Sequence, residues 1–119
     1  MSQIRSDLWC AAFVRRHNDL GQVCVVARKG DPIAGQVWID VDHLDGTRSL
    51  FGPAPSLVAS EAGAGKLFQK RLEKVTGLEI RERLDKEARF DPDFWLLGLE
   101  TRSNDLGVDL YDNESVPKS

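Results

Sequence analysis

The chain has 119 residues, 41% of them hydrophobic and 29% charged, which is the make-up of one ordinary globular domain and excludes wholesale disorder. Sixteen basic and nineteen acidic residues leave a formal charge of −3, which argues against a protein whose main work is neutralising phosphates, and so against nucleic acid. No apolar run reaches the ~18 residues of a membrane span, the first residues lack a signal peptide's apolar core, and two cysteines are too few for a disulfide scaffold; a reducing, cytoplasmic setting is expected.

The first predicted element is a helix. Ser6 or Asp7 can cap its free N–H groups, and Trp9, Ala12, Phe13 and Arg16 fall on one face. Arg15 and Arg16 suit the negative end of the dipole, and Gly21 is placed to stop it. A β-rich block follows. Val23-Cys24-Val25-Val26 reads as a strand buried on both faces rather than one, and Gly30-Asp31-Pro32 and Gly35 punctuate what comes next. Val37, Ile39 and Val41 then alternate with Trp38, Asp40 and Asp42. Asp45-Gly46 separates this run from Thr47 to Phe51, the signal of a tight two-residue hairpin. Gly52-Pro53-Ala54-Pro55 ends it.

The second half reads as helical, then β. Leu67, Phe68, Leu72 and Val75 share one face of a helix over Lys66 to Val75. Thr76 with Glu79 is a capping box, opening a second helix whose apolar stripe is Ile80, Leu84 and Ala88. Asp91-Pro92-Asp93 stops it. Phe94 to Leu99, apolar on both faces, reads as a central strand. The predicted order is α-β-β-β-α-α-β. It implies a single α+β domain, a mainly antiparallel sheet built round the Asp-Gly hairpin with helices on one face, over residues 1–104. Residues 105–119 read as an acidic C-terminal tail, partly ordered or frayed.

The possible chemistry is thin. Ala62-Gly63-Ala64-Gly65-Lys66 has the look of a phosphate loop, but Ser60 stands where its first glycine belongs and Leu67 where Ser or Thr would hold magnesium. Asp40 to Gly46 has the look of a calcium loop, but Leu44 and Asp45 put its acids and glycine out of register. Cys10, His17, Cys24 and His43 lack the paired spacing of a metal site, so no metal and no cofactor are expected. No nucleophile motif is present. The weak catalytic candidates are the loop carboxylates Asp31, Asp91 and Asp93, residue types that also form turns. A two-residue hairpin loop would set Asp42 opposite Ser49, Asp40 opposite Phe51 and Trp38 opposite Pro53. That puts two large aromatics, Trp38 and Phe51, on the polar face of the hairpin, where the C-terminal segment, a second subunit or a ligand would cover them.

Gly30-Asp31-Pro32, Ala34-Gly35, Leu44-Asp45-Gly46-Thr47 and Phe51-Gly52-Pro53-Ala54-Pro55, with Glu87-Ala88-Arg89-Phe90-Asp91-Pro92-Asp93-Phe94-Trp95, resemble a small bacterial family known as domain of unknown function 1491. Trp9 and Arg15-Arg16 belong to the same resemblance, which covers residues 5 to 102 and departs in the tail. It implies a compact, free-standing bacterial protein and carries over no activity, cofactor or catalytic residue. The expected function is a non-catalytic binding or protein-interaction module, self-associating or with another protein as partner; the alternative is a small enzyme using loop carboxylates.

Overall fold

The structure, a computed structural model, describes residues 4–55 and 66–111. The first helix, α1, spans Ser6–Asp19 and closes through a Schellman arrangement, Gly21 N–H donating to the Asn18 carbonyl and Gln22 N–H to that of His17. Its start differs from the expected side-chain cap. The Ser6 and Asp7 amides donate to the carbonyls of Ile33 and Pro32, while the Ser6 hydroxyl donates to the Gly35 carbonyl at 2.5 Å. A neighbouring loop, not a capping side chain, satisfies the first turn.

Strands β1 (Val23–Arg28), β2 (Val37–Asp42) and β3 (Arg48–Pro53) follow where the sequence places them, but β1 is not buried on both faces: it is an edge strand in which only Cys24 is buried. The segment read as a helix over 66–75 is instead a strand, β4, at Leu67–Val75. The cause lies in its pairing with β3. Phe68 sits opposite Pro53 and Lys70 opposite Phe51, but register shifts then set Leu72 opposite Leu50 and Val75 opposite Arg48. Each extra residue flips the side-chain parity. The apolar positions therefore fall at i, i+4 and i+7, which imitates a helical period.

Helix α2 (Gly77–Phe90) starts on the expected capping box of Thr76 and Glu79. Strand β5 (Trp95–Glu100) and a two-residue strand β6 (Asp109–Leu110) complete a six-stranded sheet in the order β1-β5-β2-β3-β4-β6. Three of the pairings are antiparallel, whereas β5 runs parallel to β2 and β6 parallel to β4. The sheet is mixed rather than mainly antiparallel, and the order begins α-β-β-β-β-α-β.

The helices lie on opposite faces, not on one. α1 packs over β1 and β5, where Cys10 and Phe13 meet Cys24, Leu97 and Leu99. α2 packs over β3 and β4 on the other face, where Ile80 joins Trp38, Leu50 and Phe94, with Leu84 and Ala88 against them. β5 carries apolar side chains on both faces: Trp95, Leu97 and Leu99 are buried in the α1 core, each contributing roughly 1.5–3 kcal/mol, while Leu96 is half-buried at the margin of the second core.

The C-terminal segment covers the half of the α1 face that α1 leaves open. Leu106 is buried beside Phe51 and Phe68, and Tyr111 N–H donates to the Phe68 carbonyl. His17 pins it: Nε2 lies 3.0 Å from the Leu106 carbonyl oxygen and so carries a proton to donate there, and Nδ1 lies 2.6 Å from the Gln22 side chain, which bonds onward to Thr101. The opposite half-face, over β1 and β5 on the α2 side, has no such cover among the described residues.

Candidate functional site

Two of the runs that carry the family resemblance, Gly30 to Gly35 and Asp91 to Trp95, assemble one structural joint. The loop after β1 and the loop before β5 are pressed together: Asp31 N–H donates to the Asp93 carbonyl at 2.8 Å, and Trp95 Nε1 donates to the Asp31 carbonyl at 2.8 Å. A Cβ on Gly30 would lie 2.2 Å from the Asp93 carbonyl oxygen, so no other residue fits that crossing without moving backbone. The start of α1 hangs on the same loop through Ser6 and Asp7.

This joint occupies the loop carboxylates. Asp31 Oδ2 accepts from the Ile33 and Ala34 amides, and Asp91 Oδ1 accepts from the Asp93 amide. Both are Asx turns. Asp31 and Asp93 meet through backbone atoms, and the Asp93 side chain is exposed. Asp31 and Asp91 hold chain turns, the Asp93 side chain holds none, and none of the three lines the hollows described below.

Trp38 and Phe51 do not share a face. The hairpin pairs Asp42 with Arg48 and Ile39 with Phe51, leaving a five-residue loop from His43 to Thr47. Asp42 accepts from the Leu44 amide and Asp45 from the Thr47 amide and hydroxyl, so the aspartates shape a longer turn than Asp45-Gly46 alone would make. A slip of one residue moves every side chain of a strand to the other face. Phe51 is therefore in the α1 core, at 5% exposure, near Leu106. Trp38, at 3% exposure, lies under α2 rather than under the C-terminal segment. Arg71 and Arg83 bring their guanidinium carbons to 5.6 and 5.7 Å from its ring centre. Burial and the nearby Arg83 charge lower the Arg71 pKa. Neither aromatic presents a surface to a partner.

The other motifs are also accounted for. Asp40 and Asp42 hold Arg48, at 3.1 and 3.3 Å, and these carboxylates raise the Arg48 pKa. Ala62 to Gly65 lie outside the described residues; Lys66, half-buried, borders a hollow of about 260 Å³ beside Trp9 and Phe13, and burial pushes its pKa down. Cys10 and Cys24 are free thiols in one core cluster, raised by burial to about 12 and about 11. His17 and His43 are engaged elsewhere, His43 Nε2 lying 2.7 Å from the Ser49 hydroxyl.

The open features lie on the uncovered half-face. Between α2 and the sheet runs a cleft of about 540 Å³. Its apolar side is Ala27, Ile80, Leu84, Phe94 and Leu96; its polar side is Arg28, Arg48 and Arg81 with Asp40 and Asp85. Next to it, β1 forms the outer edge of the sheet, with Val23 52%, Val25 53% and Val26 38% exposed.

The sequence profile of a family described as a protein of unknown function, DUF1491, matches residues 4–108. The chain belongs to the DUF1491 family. The match runs past the point near Ser103 where the sequence alone suggests a departure, and takes in Leu106, the buried anchor of the C-terminal segment. Among solved structures, the DUF1491 chain is similar to protein Atu0922 from A. tumefaciens, at 31% identity and a TM-score of 0.82, covering 99% of this chain and 100% of that one. It is also similar to a crystal structure of a DUF1491 family protein from Caulobacter crescentus CB15, at 28% identity and a TM-score of 0.74 over 93% of this chain, and to an NMR structure of a DUF1491 family protein from the same organism, at 29% and 0.74 over 94%; both are covered in full. No curated protein matches the chain. The family is one of unknown function. No helix among the described residues is long and apolar enough to cross a membrane.

The DUF1491 residues that sequence reasoning missed are Val25, Arg28 and Arg81. Only the order of strands shows that β1 is an edge, and only the offset of the two helices makes a cleft beside it. The one signal in the sequence was Val23 to Val26, which is apolar on both faces yet closes the sheet rather than filling its middle.

Proposed function

We propose that this protein is a non-catalytic interaction module that self-associates through the β1 edge. One observation carries the reading: a six-residue edge strand that shows Val23, Val25 and Val26 to solvent, with no proline and no charge before Arg28. Edge strands are commonly blunted by such residues or by a cover, because their free N–H and C=O groups recruit another strand. The charges along this edge favour a second copy. Arg28 and Lys29 lie at one end, Asp19 and Glu100 at the other, Glu100 being the β5 partner of Val23. A two-fold antiparallel pairing of β1 with itself sets each basic end against an acidic one. The enzyme alternative has less support, since Asp31 and Asp91 already form turns. A reducing, cytoplasmic compartment belongs to the same reading, supported by the two free, buried thiols.

Native mass spectrometry of the untagged protein over a range of concentrations tests it, beside Val25→Lys. A dimer mass that Val25→Lys converts to monomer, with an unchanged circular dichroism spectrum, supports the proposal. A monomer at every concentration, or a dimer indifferent to the substitution, overturns it.

A further inference from the structure

We infer that the cleft between α2 and the uncovered half of the sheet is a binding site for a small amphipathic oxyanion, an acyl chain or ring ending in a carboxylate or phosphate. Its volume of about 540 Å³ is in the range that holds a small molecule. The apolar part comes from three elements: Ala27 of β1, Leu96 with Phe94 leading into β5, and Ile80 with Leu84 of α2. Ile80 and Phe94 belong to the core at the back of the cleft, Leu84 and Leu96 are half-buried and Ala27 is exposed, so an apolar group seated here would cover the part that water still reaches.

The basic side chains without a carboxylate point to the ligand's head group. Arg48 is not one of them, because Asp40 and Asp42 share it and leave that cluster one negative charge in excess. Arg28 and Arg81 have no carboxylate partner among the described residues. Arg28 stacks on Phe94 with its guanidinium carbon 4.5 Å from the ring centre, and Nη2 donates to the Pro92 carbonyl at 2.6 Å. Its Nε is buried and finds no acceptor. That atom is out of a ligand's reach, but a guanidinium fork as a whole suits carboxylate and phosphate oxygens. Asp85 is the one acid in the lining that no salt bridge holds, and Arg28 and Arg81 are the cations of the lining on which an oxyanion would sit.

The proposal is independent of self-association at β1 and is tested separately. The uniformly 15N-labelled protein is titrated with octanoate, octyl phosphate and octanol, each to tens of millimolar at fixed ionic strength, and amide shifts are followed. Saturable shifts at Ala27, Arg28, Ile80, Arg81 and Leu96 with octanoate or octyl phosphate, and weaker binding of octanol, are expected; the tighter of the two anions identifies the head group. Arg81→Gln removes one charge-assisted hydrogen bond from an exposed helix position and is expected to weaken anion binding about tenfold while leaving octanol unchanged. Leu84→Gln, which alters only the apolar wall, is expected to weaken all three. The inference is overturned if no ligand gives saturable shifts in the cleft, if octanol binds as tightly as the anions, or if Arg81→Gln leaves octanoate and octyl phosphate unaffected in a protein whose spectrum is otherwise native.

Discussion

Gly52 is the position where the packing around Trp38 can be tested most directly. It lies beneath the indole, and a Cβ placed there would come within 2.5, 2.7 and 2.8 Å of the ring carbons Cζ3, Cε3 and Cη2. Carbon atoms pack at about 3.5–4.0 Å, so Gly52→Ala requires the ring or the strand to give by about an ångström. The ring has little room, being 3% exposed and packed with Leu50, Ile80 and Phe94. Overpacking a core costs about 1–3 kcal/mol, and a clash of this depth belongs at the upper end, about 2–3 kcal/mol. Urea unfolding followed by far-ultraviolet circular dichroism reads this as a midpoint lowered by roughly 1 M or more. The cause is separable by a double-mutant cycle. Trp38→Leu removes the ring that the methyl would strike, so Gly52→Ala in that background should cost less than about 1 kcal/mol. A cost below about 0.5 kcal/mol in the parent, or the same cost with and without the indole, would refute the packing argument.

Two further perturbations address the C-terminal segment and the thiols. His17→Ala leaves the Leu106 carbonyl only the long bond from Arg16 Nη2 at 3.4 Å and the Gln22 side chain only its bond to Thr101, at a cost of about 1 kcal/mol or more; hydrogen exchange of the Tyr111 amide should speed up more than that of β5, and equal protection at Tyr111 would show that His17 does not anchor the segment. Cys10 and Cys24, with thiols raised by burial to about 12 and about 11 against an ordinary 9.0, keep protons that the unfolded chain gives up above about pH 9. Their contribution is fully present below pH 9 and is lost as pH rises towards the folded values, by up to about 1.4 kcal/mol per pH unit for each thiol. Urea midpoints measured across that window should fall with a slope that Cys10→Ala reduces, and a thiol reagent should label neither cysteine before unfolding; rapid native labelling would contradict the burial.

Local chemistry was legible residue by residue. The capping box at Thr76 and Glu79, the stop at Gly21, the alternation of β2 and the helix-breaking Asp91-Pro92-Asp93 are all interactions within a few positions along the chain, and each stands where it was expected. β4 was misread because its register shifts depend on β3, a partner remote in sequence until the two strands pair. The hairpin register failed for a related reason. Asp45-Gly46 signals a turn, but the Asp42 and Asp45 side chains set its length, and a change of one residue decides whether Phe51 meets the α1 core or the α2 side.

The candidate site was less accessible still. Asp31 and Asp91 are turn formers by local rules, and the structure uses them so. Arg28 and Arg81 become neighbours of one cleft only because α2 covers β3 and β4 while leaving β1 and β5 bare. By itself, then, the amino-acid sequence determined the class of the domain, most of its elements, and the family to which the chain belongs, since short-range hydrogen bonding and period are written into adjacent residues. Which strands are neighbours, which run parallel, which face each helix takes and which edge stays open were decided only by the tertiary structure, because those choices depend on what distant segments bury together.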